Sequence, residues 1–240
     1  RKVNENYAWI GADSRRLAVF EGVFGVPDGV SYNSYLLLDE KTVLLDTVDN
    51  SVSPIFFENL AHVLNGRKLD YLIVNHMEPD HAAMIEAVLV RWPDLRLVVN
   101  AKTLPMLKMY FPTDSAAIDD ALVVKEGDTL DLGKHKLTFV MAPMVHWPEV
   151  MMTYCAEEQV LFSADAFGKF GVYHADEDDW ACEARRYYFN IVGKYGVQAA
   201  NVLKKLAGTD IQTIAPLHGP MLEGEKKDEA LRLYHIWSAY

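Results

Sequence analysis

Four side chains of metal-binding type occur within six residues of this sequence, in the segment Asn75-His76-Met77-Glu78-Pro79-Asp80-His81. Imidazole and carboxylate groups together are a typical set of metal ligands. Pro79 favours an extended backbone at Glu78, which would point Glu78 and Asp80 in different directions, as two adjacent ions require. An exposed polar turn with a helix cap at Asp80 is the alternative interpretation, but it explains neither the histidines nor Glu78.

Three further residues of ligand type lie in turns next to predicted strands. His146 comes just before one strand, and Asp165 and His218 come just after two others. Each alone is more often an ordinary turn residue, although loops at strand ends frequently carry functional side chains. With the first segment they make seven candidate ligands, whereas a tetrahedral ion takes only four. The sequence therefore predicts a pair of metal ions that share a ligand.

Short strands alternating with helices must position these side chains. Apolar or β-branched runs between turn residues predict strands at 7–11, 17–20, 35–38, 42–45, 71–74, 95–99, 150–154, 160–162 and 211–215. Residues 75–80 are predicted to form a loop. Apolar residues at helical spacing predict helices at 52–64, 81–90, 103–110, about 180–206, and from about 226. The pattern indicates an α/β protein in which helices cover two packed sheets.

Composition restricts the function further. The chain has 240 residues without a repeat or a shift in composition, so a single domain over residues 1–240 is expected. The formal charge of −11 argues against binding to nucleic acid, which needs a basic face. We find no signal peptide and no apolar run long enough to span a bilayer. Cys155 and Cys182 lack CxxC spacing, which indicates reduced thiols in a cytoplasmic protein.

The ligand pattern resembles the diiron domain of flavodiiron proteins. HxExDH at residues 76–81, followed by His146, Asp165 and His218, is a variant of the HxHxDH pattern of zinc hydrolases with a metallo-β-lactamase fold. Other segments similar to the family are Val30–Tyr35 (containing YNSY), Asp165–Gly168 (DAFG), Ala184–Tyr188, and Trp237-Ser238. The resemblance covers essentially the whole chain. It implies a metallo-β-lactamase-like αββα four-layer sandwich, an α/β (α+β) fold.

The resemblance also implies a ligand set for two iron ions, Fe2+ or Fe3+, joined by a hydroxo, oxo or peroxo bridge. The ligands would be His76, Glu78 and His146 for one iron, Asp80, His81 and His218 for the other, and Asp165 for both. A carboxylate at Glu78, where the zinc enzymes usually carry histidine, suits iron better than zinc. Candidates for residues near the metals are Tyr32, Trp147, Tyr173 and His174, with packing as the default interpretation of the three aromatic side chains and a structural or surface role as the alternative for His174. The histidines expected to be structural or superficial are His62, His135 and His235.

Dioxygen, and also nitric oxide, are the ligands that the resemblance implies for the diferrous site. Flavodiiron proteins draw electrons from FMN in a flavodoxin-like domain of the partner subunit in a head-to-tail dimer. This sequence has no recognisable FMN site and stops at Tyr240, where that domain would begin, although a fragment of a longer protein would look the same. Ala82, Ala83, Ala164 and Leu217 also depart from the family pattern beside the ligands.

In the absence of FMN, electron counting leaves two outcomes open, and the end of the sequence where the flavin domain would begin favours sensing over catalysis. Two irons supply two electrons, enough to form a peroxide, whereas reduction of dioxygen to water takes four. We therefore expect a homodimeric oxygen sensor that forms a diferric-peroxo state, similar to flavodoxin-less diiron proteins in bacterial signalling such as chemotaxis. The alternatives are an oxidoreductase that reduces dioxygen or nitric oxide with electrons from a separate flavoprotein or reductase, and a zinc-dependent hydrolase of the same fold.

Overall fold

Two six-stranded sheets form the centre of the protein in the computed structural model, which describes residues 3–112, 116–174 and 180–240. The strands are β1 (Tyr7–Trp9), β2 (Ala12–Ser14), β3 (Val19–Phe20), β4 (Phe24–Gly25), β5 (Val30–Tyr32), β6 (Tyr35–Leu38), β7 (Thr42–Leu45), β8 (Tyr71–Ile73), β9 (Arg96–Asn100), β10 (Leu122–Val124), β11 (Thr129–Asp131), β12 (Lys136–Met141), β13 (Met151–Cys155), β14 (Val160–Phe162), β15 (Thr213–Ala215) and β16 (Leu222–Glu223). The helices are α1 (Ser53–Leu64), α2 (Pro79–Ala82), α3 (Ile85–Arg91), α4 (Thr103–Tyr110), α5 (Ala116–Asp119), α6 (Trp180–Tyr187), α7 (Gly196–Leu206) and α8 (Gly224–Trp237).

The connections between strands explain how the helices come to cover both sheets. The first sheet has the order β1-β6-β7-β8-β9-β10, and its strands from β7 to β10 are parallel. The second sheet runs from β11 to β16 in sequence order, with β14 and β15 parallel. Parallel neighbours need crossover connections, which α1, α3 and α4 provide in the first sheet and α6 with α7 provides in the second.

The hydrophobic core consists of two clusters that follow from this layering. Between the sheets, Leu37 and Leu45 of the first sheet share one apolar cluster with Phe139 and Phe162 of the second. The outward-facing side chains of both sheets belong to another cluster with the helices, among them Leu36, Leu72, Phe56, Leu60, Val88, Leu161, Ile214, Leu203 and Tyr234. The layers are therefore helix, sheet, sheet and helix, and the predicted αββα sandwich is confirmed.

The predicted helical stretch from about 180 to 206 is confirmed, but it is not one regular α-helix. After α6 the chain forms a π-helical turn at Tyr188–Val192 and a 3₁₀ turn at Gly193–Tyr195 before α7 begins. A methyl group on Gly196 would lie 3.2 Å from the carbonyl oxygen of Ser238, so the chain passes close to the end of α8 there. The amphipathic pattern continues through these turns, so it does not reveal the change of helix type.

The predicted loop at 75–80 is also corrected. Pro79 and Asp80 already belong to α2, because proline is well suited to the first turn of a helix, where its missing N–H would have no partner. The helix predicted at 81–90 is split into α2 and α3 at Ala83 and Met84. Asp80 is buried rather than an exposed helix cap.

Both cysteines carry free thiols, as expected. Cys155 is buried in β13, and Cys182 is exposed on α6. Among the helices of the described residues, we find none with the length and apolar character needed to cross a membrane.

Gly11 is a position where a side chain is excluded by close backbone packing. A Cβ there would lie 2.2 Å from the carbonyl oxygen of Tyr32 and 2.9 Å from Cα of Asn33. Gly11→Ala is therefore expected to lower the free energy of unfolding by about 2 kcal/mol through overpacking, as measured by urea unfolding. Gly25→Ala is the control, because nothing lies within 4 Å of its added methyl group. Equal losses in the two variants would contradict this explanation.

Candidate metal centre

The seven predicted ligands come from four chain segments that meet at one edge of the sandwich. The segment His76–His81 follows the carboxyl end of β8, and His146 lies between β12 and β13. Asp165 and His218 follow β14 and β15, whose parallel arrangement brings their carboxyl ends to the same edge. The amide N–H of Met151 donates a 3.0 Å hydrogen bond to the carbonyl oxygen of Asn75, which ties the two sheets together at this edge.

One group of candidate ligands consists of His76, Glu78, His146 and Asp165, with one potential ligand atom from each within 4.8 Å of the others. Nε2 of His146 lies 2.9 Å from Oε2 of Glu78 and 2.9 Å from Oδ2 of Asp165. Nε2 of His76 faces the same two oxygens at 3.2 and 3.3 Å. All four groups converge on one point, as the ligands of a single ion do.

The other group consists of Asp80, His81 and His218, whose ligand atoms also lie within 4.8 Å of one another. Nε2 of His218 lies 3.2 Å from Oδ2 of Asp80 and 3.1 Å from Nε2 of His81. The second oxygen of Asp165, Oδ1, lies 3.2 Å from Nε2 of His81 and 3.9 Å from Nε2 of His218. Asp165 therefore presents one carboxylate oxygen to each group.

Buried polar atoms without partners indicate that a cation fits this arrangement. Both carboxylate oxygens of Asp80 and Oδ1 of Asp165 are buried and accept no hydrogen bond from the described residues. A buried carboxylate oxygen without a partner is costly, and paired charges or metal coordination are the usual remedies. The mixture of imidazole and carboxylate donors suits a divalent transition metal at both positions.

The charges of the ligands shift one another's pKa values strongly. Burial alone would lower the pKa of His146, but hydrogen bonds with Asp165 and Glu78 raise it to about 9. His218 behaves alike, because the Asp80 carboxylate outweighs burial and raises its pKa to about 9. Burial opposes ionisation of Asp165, but His81 and His76 hold its pKa well below its usual range. The site thus favours positive charge, and a bound cation would compete with protons for the same atoms.

Several residues that the sequence reasoning missed hold the ligands in place. The Asp46 carboxylate accepts hydrogen bonds from the amide N–H groups of Asn75 and His76, at 2.7 and 3.1 Å, and so fixes the start of the ligand segment. The carbonyl oxygen of Ser31 accepts a 2.7 Å hydrogen bond from Nδ1 of His218. Glu149 lies against His76. A histidine ligand commonly donates its other ring N–H to such a group, but no spacing rule in the sequence points to these partners.

A cavity of about 630 Å³ gives access to the ligands. Its walls include Tyr32 and Trp147, as expected, together with Glu78, Asp80 and His146. The ring centroid of Trp147 lies 5.4 Å from that of His76, and the ring centroid of Tyr32 lies 5.8 Å from that of His218. Glu21, which the sequence reasoning also missed, lies at the rim beside Glu78, and burial and this second carboxyl raise its pKa to about 8.

Tyr173 and His174, which were expected near the metals, do not line this cavity. The chain before them is held along β5 by pairing of Gly171 with Val30, and it leads Tyr173 into the core between the sheets. There the Tyr173 ring packs on Trp9, with centroids 4.5 Å apart. His174 is exposed and its ring contacts Tyr173.

Three other histidines lie where they were expected. His62 and His235 lie on the exposed faces of α1 and α8. His135 is buried and hydrogen-bonded to Asp39 and Glu158 at the opposite edge of the sandwich.

The αββα sandwich, with two groups of histidines and carboxylates at its strand ends, defines a protein of metallo-β-lactamase type with a candidate two-metal centre. Residues 30–219 match the family model described as ODP family beta lactamase. The match covers most of the chain, and the protein belongs to this family.

Proteins of known structure or function extend the comparison. A nitric oxide reductase of Moorella thermoacetica is 35% identical over 227 residues, which cover 90% of this chain and 56% of that protein. Rubredoxin oxygen:oxidoreductase from Desulfovibrio gigas superimposes with a TM-score of 0.94 and 30% identity, over 100% of this chain and 61% of that one. The flavodiiron protein of Giardia intestinalis gives a TM-score of 0.93 and 27% identity, over 99% and 59% of the two chains.

These comparisons confirm the resemblance to the metallo-β-lactamase-like domain of flavodiiron proteins. The chain spans less than two thirds of the length of each of these relatives. The similarity therefore covers one part of each of them.

Proposed function

We propose that this protein is a non-haem diiron domain that binds dioxygen or nitric oxide at the seven-ligand site. The observation that carries the proposal is the position of Asp165, which presents one oxygen to each of two ligand groups. Glu78 supports iron rather than zinc, because a carboxylate makes the first group harder and more anionic. The names of the relatives, a nitric oxide reductase and a rubredoxin oxygen:oxidoreductase, support the two diatomic ligands.

Each part of the site has a task under this proposal. Bound iron would supply electrons and open positions for a diatomic ligand. The chain's own carboxylates Glu78, Asp80 and Asp165 would balance the positive charge, and Asp165 would set the separation of the ions. Tyr32 and Trp147 form walls of the cavity through which a small ligand reaches the site.

We further propose that the protein acts as an oxygen sensor in the bacterial cytoplasm, in signalling such as chemotaxis, as a homodimer. Support comes from the electron count, since two irons cannot complete the four-electron reduction of dioxygen. Reduction of dioxygen or nitric oxide with electrons from an external flavoprotein is the second candidate. The names of the relatives favour it.

The experiment begins with anaerobic loading of the protein with ferrous iron. The loaded protein is then mixed with dissolved dioxygen while the visible spectrum and the oxygen concentration are followed. The result expected of a sensor is a visible band that forms and persists, with oxygen uptake that stops once each iron pair has bound one dioxygen molecule. Continuous oxygen consumption after addition of an external reductant, without accumulation of the band, would instead identify a reductase.

The metal-free protein is the control, because it should neither develop the band nor take up oxygen. Absence of any spectral change and of any uptake by the iron-loaded protein, with either dioxygen or nitric oxide, would contradict the proposed function. Hydrolysis of model esters by the zinc-loaded protein, absent from the iron-loaded form, would point to the zinc hydrolase alternative.

A further inference from the structure

Glu149 is a fully buried acidic residue that contacts the candidate ligands without belonging to either ligand group. Its Oε1 atom accepts a 2.8 Å hydrogen bond from Nδ1 of His76 and a 2.9 Å hydrogen bond from the amide N–H of Met77. Its side chain is 0% exposed. Its other oxygen, Oε2, has no hydrogen-bond partner among the described residues. An ionised group in such surroundings is costly, so packing alone does not explain a glutamate here.

The hydrogen bond to Nδ1 determines which atom of His76 is available to a metal. Because Glu149 accepts a hydrogen bond from Nδ1–H of His76, the proton of the neutral ring lies on Nδ1. The unprotonated Nε2 atom then faces Glu78 and Asp165. A carboxylate partner also fixes the orientation of an imidazole ring and increases its basicity towards a metal. His76 is completely buried, so bulk solvent does not reach this contact in the folded protein.

The second hydrogen bond extends the effect to another ligand. Met77 lies between His76 and Glu78, and its N–H is held by the same Oε1 atom. Glu149 therefore restrains the backbone that carries two of the four members of the first group. It also lies in the same loop as His146, a third member, so that one loop supplies both a ligand and the group that orients its neighbours.

We propose that Glu149 is a positioning residue for the first metal position, because it presents Nε2 of His76 and holds the amide N–H of Met77, which lies between His76 and Glu78. This inference rests on the proposed diiron function. The second group, Asp80, His81 and His218, has no hydrogen bond with Glu149 among those that the structure shows. The effect of removing Glu149 is therefore specific to one of two ions.

The test is an anaerobic titration of the metal-free chain with cobalt(II), a spectroscopic substitute for ferrous iron. Glu149→Ala should weaken binding at one of the two positions by about 100-fold, and Glu149→Gln, which can still accept through its amide oxygen, by about 10-fold. The other position should keep the affinity of the unaltered protein. The graded response distinguishes orientation of His76 from a general loss of folding, which would weaken both positions together.

Asp39→Asn is the matched control. Asp39 is also a buried carboxylate that accepts a 2.8 Å hydrogen bond from a histidine Nδ1, in this case of His135, and others from backbone N–H groups. Its variant should lose stability but bind two cobalt ions normally. Normal affinity at both positions in Glu149→Ala and Glu149→Gln would overturn the proposal, and so would equal weakening of both positions.

Proton NMR separates this inference from the proposed function. A slowly exchanging, far-downfield Nδ1 proton of His76 is expected in the metal-free protein, and it should disappear in Glu149→Ala. If the unaltered protein binds no metal at all, the diiron proposal fails. In that case, an Nδ1 proton signal that is present in the unaltered protein and lost in Glu149→Ala still shows that Glu149 orients His76. Absence of the signal from the unaltered protein refutes the inference.

Discussion

Asp165→Asn is expected to weaken iron binding at both positions by about 100-fold or more, since replacing even an indirect partner of a ligand can cost 10- to 100-fold. The asparagine has nearly the same shape, so the packing of the buried side chain is preserved. What is lost is the charge of the one carboxylate that faces both ligand groups. The measurement is the iron content per chain after anaerobic reconstitution and removal of loosely bound metal.

His146→Ala is the comparison that gives this result its meaning. His146 contacts Glu78 and Asp165 and belongs to the first group only. This variant should therefore retain one iron per chain, whereas Asp165→Asn should retain less than one. Retention of two irons with unchanged spectra in either variant would refute the ligand assignment for that residue.

His135→Ala is expected to lower the free energy of unfolding by about 3 kcal/mol, because it removes one partner of a buried charged cluster. His135 is 5% exposed and lies between two carboxylates. Its Nδ1 donates to Asp39 at 2.8 Å, and its Nε2 donates to Glu158 at 3.0 Å. A histidine that donates from both ring nitrogens carries a positive charge. His62→Ala, an exposed position on α1, is the control and should change stability little.

The loss of unfolding free energy in His135→Ala should be larger at low pH than at high pH. Burial lowers the pKa of His135, but hydrogen bonds with Asp39 and Glu158 raise it above the ordinary value of 6.5. A raised folded-state pKa gives stability that is fully present below 6.5 and is lost as pH rises through the folded value. Burial also opposes ionisation of Asp39, but hydrogen bonds with His135 lower the pKa of Asp39 below 3.8. The contribution of the Asp39 carboxylate to folding stability is therefore lost only in acid.

Urea unfolding of the metal-free protein and the His135→Ala variant at about pH 6 and about pH 9 measures this dependence. The difference in unfolding free energy between the two proteins should be larger at the lower pH. Groups at the metal centre titrate in both proteins, so their effects cancel in the difference. A difference that is the same at both values, or larger in alkali, would show that His135 is not charged in the folded protein.

Local patterns in the sequence predicted two packed sheets covered by helices and the seven candidate ligands, whereas the αββα fold and the division of the ligands into two groups came from the resemblance to flavodiiron proteins. HxExDH is contiguous, and His146, Asp165 and His218 each lie beside a strand that periodicity predicts. The predictions that the structure corrected depended on contacts between segments that are distant in the sequence. One example is the change of helix type between α6 and α7, where Gly196 passes close to Ser238 at the end of α8, a contact that no local pattern reveals.

The residues that orient the ligands were missed for the same physical reason. Asp46 is separated from His76 by 30 positions and Glu149 by 73, so only the folded chain brings them into contact. Tyr173 was also expected near the metals. In the structure, pairing of Gly171 with Val30 directs the chain after it towards Trp9 instead.

Because the ligands come from both sheets, the supply of metal affects how long the protein stays folded. Residues 76–81 leave the first sheet, while His146, Asp165 and His218 leave the second. An ion bound between them must be released before the sheets can separate, so unfolding and metal loss are one coupled equilibrium. A metal present at 100 times its dissociation constant would stabilise the fold by about 2.7 kcal/mol for each site. If the two ions are iron, as proposed above, the chain would unfold and be degraded more readily in an iron-poor cell, and its abundance would follow the availability of iron.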